Sequence, residues 1–408
     1  MSANTIVRAE LEDPTRNMAL ANLATLLKDQ STRALDVIAG SGALHASGGQ
    51  LILRDTVPQL GADGVTMTAG TYAINSTATG QLAEKLTIPQ AYLRRLGQDH
   101  PDLFDANVNG WLSCTDKRFL VRALRTRPNP NNAPDAPFNA RIAGLNEALG
   151  GGVDGTVRAF LSDSYSRIDH LDVLVAALDG VKQSGEQVVV EGCDLTEQRM
   201  YVRVTAPGVQ AMAPSLLKNY RSPFDSRPGS ELPVVWGGFV MRNSETGGGA
   251  FSIEPRLTVR VCRNGMVMEQ SVLRKTHLGA RYAGGEGIVT WSAETLSKSL
   301  ELITSQARDA VRAYLDPEYV ARMVRQLEAI SDKPVEDVDK TLKVVASKFK
   351  FSDSQQDSIL AHFIRGADLS AGGVMHAITS TAQTLDADTA YEMESVAVQA
   401  MQLAAATN

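Results

Sequence analysis

Residues 239–281 read FVMRNSETGGGAFSIEPRLTVRVCRNGMVMEQSVLRKTHLGAR, and they constrain the fold more than any other stretch of the chain. Phe239, Val240 and Met241 begin as a strand, and residues 244–249 hold enough glycine to reverse the chain. Leu257, Val259 and Val261 then alternate with Thr258, Arg260 and Cys262, the two-residue period of a strand with one buried face. That alternation puts Arg260 opposite the valines. Asn264-Gly265 follows, and such a pair between apolar runs marks a tight turn because both residues tolerate positive φ. A chain written this way builds antiparallel hairpins, and it loads one surface with Arg274, Lys275, His277 and Arg281.

The flanking sequence supplies helices. Leu20, Leu23, Ala24 and Leu27 have amphipathic spacing, and short apolar runs broken by Gly40, Gly42, Gly48 and Gly49 predict small strands over residues 34–65. Pro89 opens a helix that Gly97 and Pro101 are expected to stop. Phe119, Val121 and Leu124 read as a strand, as do residues 157–161; residues 163–169 read as a turn and 171–178 as a helix. Residues 188–190 and 200–205 form a hairpin in which Arg203 faces away from Val202 and Val204. Residues 206–233, with five prolines, read as a long irregular loop. From Ser292 the pattern is helical nearly to the end. The expected class is therefore α+β: antiparallel β-hairpins with packed helices, then a C-terminal helical bundle. Four prolines in residues 128–137 predict an exposed, protease-sensitive connector. The expected units are 1–127, the linker 128–137, a hairpin core with a long helix over 138–330, and an acidic helical region over 331–408.

Charge narrows the function classes. The net charge of −6 argues against a protein that coats nucleic acid, but it is unevenly spread. From Asp332 onward eleven acidic residues face six basic ones, whereas between Arg242 and Arg281 seven arginines and lysines face three glutamates. A polyanionic partner fits the basic part. No apolar run approaches the ~18 residues that span a bilayer, so no membrane role is expected. Three widely spaced cysteines, expected to be unpaired, and the lack of a signal-peptide pattern point to a cytoplasmic protein.

Catalytic motifs are sparse. There is no GxxxxGK[ST] loop and no HExxH, and the turn at Gly284-Gly285-Glu286-Gly287 lacks the phosphate-binding lysine. Asp163, Asp169 and His170, with His277, are the residues that a metal-dependent hydrolase would use, although aspartate-capped turn chemistry also explains the first three. No cofactor or metal is expected. The nucleic-acid candidates are Arg118 and Arg122 in the first basic strand; Lys218, Tyr220, Arg221 and Phe224 in the long loop; and Arg260, Arg263, Arg274, Lys275 and Arg281. Aromatic rings interleaved with cations suit a single strand, whose bases stack while its phosphates are neutralised.

Two blocks carry a family resemblance: VRAFLSDSYSRIDHLDVLVAAL at 157–178 and RNSETGGGAFSIEPRLTVRVCRNGMV at 242–267, followed by RKTHLGAR. With IPQAYLRRL and NGWL upstream, they resemble the phage- and plasmid-borne family catalogued as domain of unknown function 932, over roughly residues 80–310. Ser162, Asp163, Tyr165, Asp169, Asn243, Ser244, Arg260, Cys262, Asn264 and Gly265 occupy that family's places. The resemblance implies a mobile-element product, and the long helical C-terminal extension departs from it. Paired hairpins followed by a long helix are also similar in architecture to phage single-strand annealing recombinases of the RecT and Red-beta kind. The expectation is a single-stranded DNA-binding or annealing protein of phage origin, non-enzymatic and homo-oligomeric. The alternatives are the hydrolase, and an interaction protein that binds a host factor through its acidic helices.

Overall fold

The computed structural model describes residues 15–61, 64–126, 153–163, 165, 168–222, 224–260, 265–268, 273–275 and 293–407. The fold is α+β, built on two main sheets.

The first sheet contains β1 (Ala34–Gly40), β2 (Leu44–Ser47), β3 (Gln50–Leu53), β6 (Gly70–Ile74), β7 (Arg118–Arg125) and β8 (Gly155–Ser162), in the order β1-β7-β8-β6-β3-β2. Only β6 and β8 pair in parallel. Short strands β4 (Gln59–Gly61) and β5 (Gly64–Thr66) form a separate ribbon. The β2–β3 turn places both Gly48 and Gly49 at positive φ, 62° and 74°, as a two-residue hairpin demands. Asp105 accepts hydrogen bonds from both of their amides, at 2.5 and 3.0 Å.

Asp105 belongs to α4 (Pro101–Leu112), which with α2 (Ser76–Lys85) and α3 (Gln90–Asp99) covers one face of this sheet. Leu82, Leu93, Leu96, Phe104 and Val108 pack there on Leu35, Val37, Leu51, Val121 and Val157. Gly97 lies inside α3, and Pro101 starts the next helix, where its missing N–H costs nothing. The linker 128–137 lies outside the described residues. The strands on either side of it, β7 and β8, pair from Phe119↔Ser162 to Arg125↔Gly155, so the first sheet continues past the expected boundary.

The second sheet is antiparallel, in the order β9 (Val189–Leu195), β10 (Met200–Met212), β11 (Val234–Asn243), β12 (Phe251–Val259) and β13 (Gly265–Val267); β14 (Leu273–Lys275) also pairs with β12. The expected loop after residue 205 is partly strand. β10 runs on to Met212 across an irregularity between Ala206 and Gln210, which accommodates Pro207 where a regular ladder would lose a donor. One turn of helix, α6 (Pro214–Leu217), follows.

Val202, Val204, Phe239, Met241, Ile253 and Leu257 face a core shared with α5 (His170–Ser184), α7 (Ala293–Tyr314) and α8 (Pro317–Ser331). α5 and α7 approach so closely that a Cβ at Gly180 would lie 2.4 Å from the Thr304 carbonyl oxygen.

The last four helices are α9 (Val338–Phe349), α10 (Asp353–Gly366), α11 (Ala371–Ala382) and α12 (Ala387–Ala406). Asp337, Ser352, Ser370 and Asp386 cap their N-termini with side-chain acceptors. Every residue of α11 is buried. These helices join the hydrophobic cluster of the second sheet, so 331–408 shares its core instead of forming a separate one. Among the described residues no helix is long and apolar enough to cross a membrane.

Candidate nucleic-acid interface

Alternation along the second sheet sends its polar side chains to the face opposite the main core. Tyr201, Arg203 and Thr205 of β10, Trp236 and Val240 of β11, and Arg256 of β12 line a cleft roofed by Ala390, Tyr391 and Glu394 of α12. The cleft encloses about 600 Å³, within the roughly 300–1,000 Å³ of small-molecule sites.

Two local irregularities shape it. The β9–β10 register shifts between Arg203 and Val204, leaving Glu191 as the bulged residue; bulges re-aim side chains, and this one sends Glu191 to Arg256 at 2.7 Å. The segment before α1 (Leu20–Arg33) pairs with the edge of β9 through Met18 and Cys193, which brings Arg16 and Asn17 to the rim.

The charges are arranged with polarity. At one end Arg16 lies 3.4 Å from the fully buried Asp194, and Arg203 hydrogen-bonds the same Asp194 oxygen. Asn17 reinforces the pair, its amide donating to Asp194 at 2.6 Å and its side-chain oxygen accepting from Arg203 at 2.6 Å. Two guanidiniums thus share one carboxylate. At the other end a single guanidinium, Arg256, meets two carboxylates, Glu191 and Glu394. Burial disfavours the charged Arg256, but Glu394 and Glu191 more than offset it and raise its pKa.

Alongside, Tyr201 donates to Asp388 at 2.7 Å and Tyr391 donates to Glu254. Burial and the neighbouring carboxylates raise the pKa of both phenols, which stay protonated donors. The exposed Arg260 sits over Trp236 of the cleft lining, 5.4 Å from its ring centroid, and has no carboxylate partner among the described residues.

The residues singled out from the sequence do not form one surface. Arg118 is exposed, but on the first sheet. Lys218, Arg221 and Phe224 are exposed on a loop held against α10, where the Arg221 amide donates to Gly366 and the Phe224 ring lies 6.0 Å from His362. Arg260 alone among them touches a residue of the cleft lining, Trp236. The side chains of Arg274 and Lys275, and all of Arg263 and Arg281, lie outside the described residues.

Two candidates are corrected. Tyr220 is only 2% exposed and stacks on His376 at 4.2 Å, so its ring is core and offers no face to a base. Arg122 is 5% exposed and engaged: it bonds Asp36 at 2.7 Å, Asp169 at 2.6 Å and the Glu245 carbonyl at 2.6 Å. An arginine so buried, with four of its five N–H donors engaged, is not presented to a phosphate.

Arg122 belongs to a buried polar junction between the two sheets, where the blocks 157–178 and 242–267 meet. Glu245 accepts from Arg158 at 2.6 Å and from the His170 amide at 3.0 Å. Burial opposes ionisation of Glu245, yet the Arg158 and Arg122 guanidiniums and the His170 backbone amide outweigh it and hold the carboxyl below its ordinary range. Burial lowers the His170 pKa in turn; the ring is neutral, with Asn243 Nδ2 donating to Nδ1 at 3.0 Å.

His170 and Asp169 are thereby committed to structural bonds, while Asp163 points to solvent. Among the described residues no group of three or more His, Cys, Asp or Glu is placed to hold a metal; His277 lies outside them. Sequence reading missed Arg16, Asp194, Trp236 and Tyr391, which come to the cleft from four distant stretches. Arg203 was legible, since alternation alone turns it from the core. Comparisons of the chain with family models, curated proteins and solved structures found no match, so the family resemblance rests on the residues quoted for it.

Proposed function

We propose that this chain binds single-stranded DNA along the outer face of the second sheet, as a cofactor-independent, homo-oligomeric binding or annealing protein. The observation that carries the reading is Arg260 over Trp236: an exposed guanidinium with no carboxylate partner among the described residues, held on an aromatic ring that lines a cleft containing Arg16, Arg203 and Arg256. Phosphate neutralisation by cations and base stacking on rings are the two contributions that single-strand binding needs, and here they sit side by side. The sheet's apolar face is sealed by α5, α7 and α8, and α12 covers part of the polar face, which leaves the cleft between sheet and helix for the ligand.

Replacing Arg260 by Ala is expected to weaken binding to all sequences alike and to flatten the slope of log affinity against log salt by about 0.7. Replacing Trp236 by Ala is expected to cost ~1–3 kcal/mol with the slope unchanged, because lost stacking releases no counterion. If both variants bind as the wild type does, the cleft is not the interface.

A further inference from the structure

We propose that the cleft beside Trp236 is a single-nucleotide subsite, which seats one unstacked nucleoside 5′-phosphate and selects the bases whose amino group stands where thymine has its O4 carbonyl, adenine (N6) and cytosine (N4). The inference rests on the single-strand reading and deepens it.

The polarity of the walls carries it. At the Arg16–Arg203 end two cations bond one carboxylate, Asp194, which is fully buried beneath them, and Asp386 lies within electrostatic reach of Arg16 without an ion pair to it. Arg16 makes only one long contact to Asp194, at 3.4 Å, which leaves guanidinium donors for an anion such as phosphate. The Arg256 end has the opposite excess. Arg256 donates to both oxygens of Glu394 and to Oε2 of Glu191. Glu191 Oε1 has no partner among the described residues, and it is an acceptor that lines the cleft.

A ligand that satisfies both ends is an anion at one end and a hydrogen-bond donor at the other. Trp236 on the wall adds a preference for a flat ring between, whereas the Tyr391 ring is taken up by Tyr201 and Arg242. A nucleoside monophosphate of adenine or cytosine meets all three requirements. Its amino group donates to a carboxylate, the pairing by which acidic side chains read cytosine N4. Thymine presents a carbonyl at that position and would face Glu191 as acceptor against acceptor. The volume of about 600 Å³ suits one nucleotide and excludes a duplex.

The test is calorimetric titration of the full chain with dAMP, dCMP, dTMP and deoxyadenosine, for the wild type and for R16A, E191A and Q383W. Arg16 can be removed while Arg203 and Asn17 still satisfy Asp194, and Glu191 while Glu394 still pairs Arg256. Gln383 is an exposed residue at the rim, where Trp plugs the cleft without entering the core. Thermal midpoints equal to the wild type confirm that each variant is folded.

The wild type is expected to bind dAMP and dCMP one to one, with dTMP and deoxyadenosine each about tenfold or more weaker, the scale of one charge-assisted hydrogen bond. R16A is expected to weaken dAMP by about the same factor, E191A to erase the preference over dTMP, and Q383W to abolish binding. Equal affinity for dAMP and dTMP, or binding unaffected by Q383W, overturns the subsite. So does the absence of monophosphate binding in a chain that still binds a single strand, a result that leaves the broader function standing. Base-selective monophosphate binding with no affinity for single strands supports the subsite and removes the single-strand reading.

Discussion

Glu394, on the last helix, holds Arg256, on β12 of the second sheet, through two parallel hydrogen bonds of 3.1 Å each. The pair spans 138 residues of sequence and fixes α12 over the polar face of the sheet. Breaking a buried pair leaves an uncompensated charge, whereas replacing both partners by apolar groups does not. Glu394→Ala leaves the buried Arg256 with Glu191 alone and is therefore expected to lower stability by ~1–3 kcal/mol. The double variant Arg256→Met, Glu394→Leu should recover most of that loss, as urea midpoints at constant slope would show.

Arg122 joins the two sheets through Asp36, Asp169 and the Glu245 carbonyl. Arg122→Ala is expected to destabilise the chain by ~3–5 kcal/mol. Below its unfolding transition the variant should keep the wild-type salt slope for DNA. A flattened slope with normal stability would return Arg122 to the phosphate-contacting set.

His376 is buried within α11, with Tyr220 against its ring and the Leu216 carbonyl as partner of Nε2 at 3.1 Å. Burial pushes its pKa down from 6.5 to about 4 despite that hydrogen bond. Because the folded value lies below the unfolded one, the stabilisation is complete above pH 6.5 and is lost as the pH falls towards 4. Its size is on the order of 3 kcal/mol. His376→Gln, which keeps a donor for Leu216, should remove this part of the pH dependence in denaturation curves between pH 4 and 6.5.

Cys114 is exposed and Cys193 is buried against the Met18 bridge; neither forms a disulfide. Burial pushes the Cys193 thiol up to about 11. A thiol reagent at neutral pH should modify Cys114 rapidly and Cys193 only after denaturation. Rapid labelling of Cys193 would mean that the N-terminal strap opens readily.

The hairpins and the α+β class were legible because period-two alternation and glycine turns are local signals. Arg203 follows directly from that alternation, which turns it away from Val202 and Val204. The domain boundaries were harder to read because β7 and β8 pair across the proline-rich segment, and pairing between distant strands leaves no local mark. Tyr220 and Arg122 show the same limit in the site. An aromatic residue among lysines and an arginine in a basic strand look solvent-facing until His376, Asp36 and Asp169 arrive from elsewhere in the chain.

The most direct test of the central claim is the affinity of the purified full chain for single-stranded and duplex DNA at two salt concentrations, by mobility shift. The account predicts that the single strand is bound in preference to duplex at both concentrations. Affinity should fall with salt, and the slope should be shallower by about 0.7 in Arg260→Ala. Wild-type protein with no affinity above background at low salt, or with equal affinity for both forms, would contradict it.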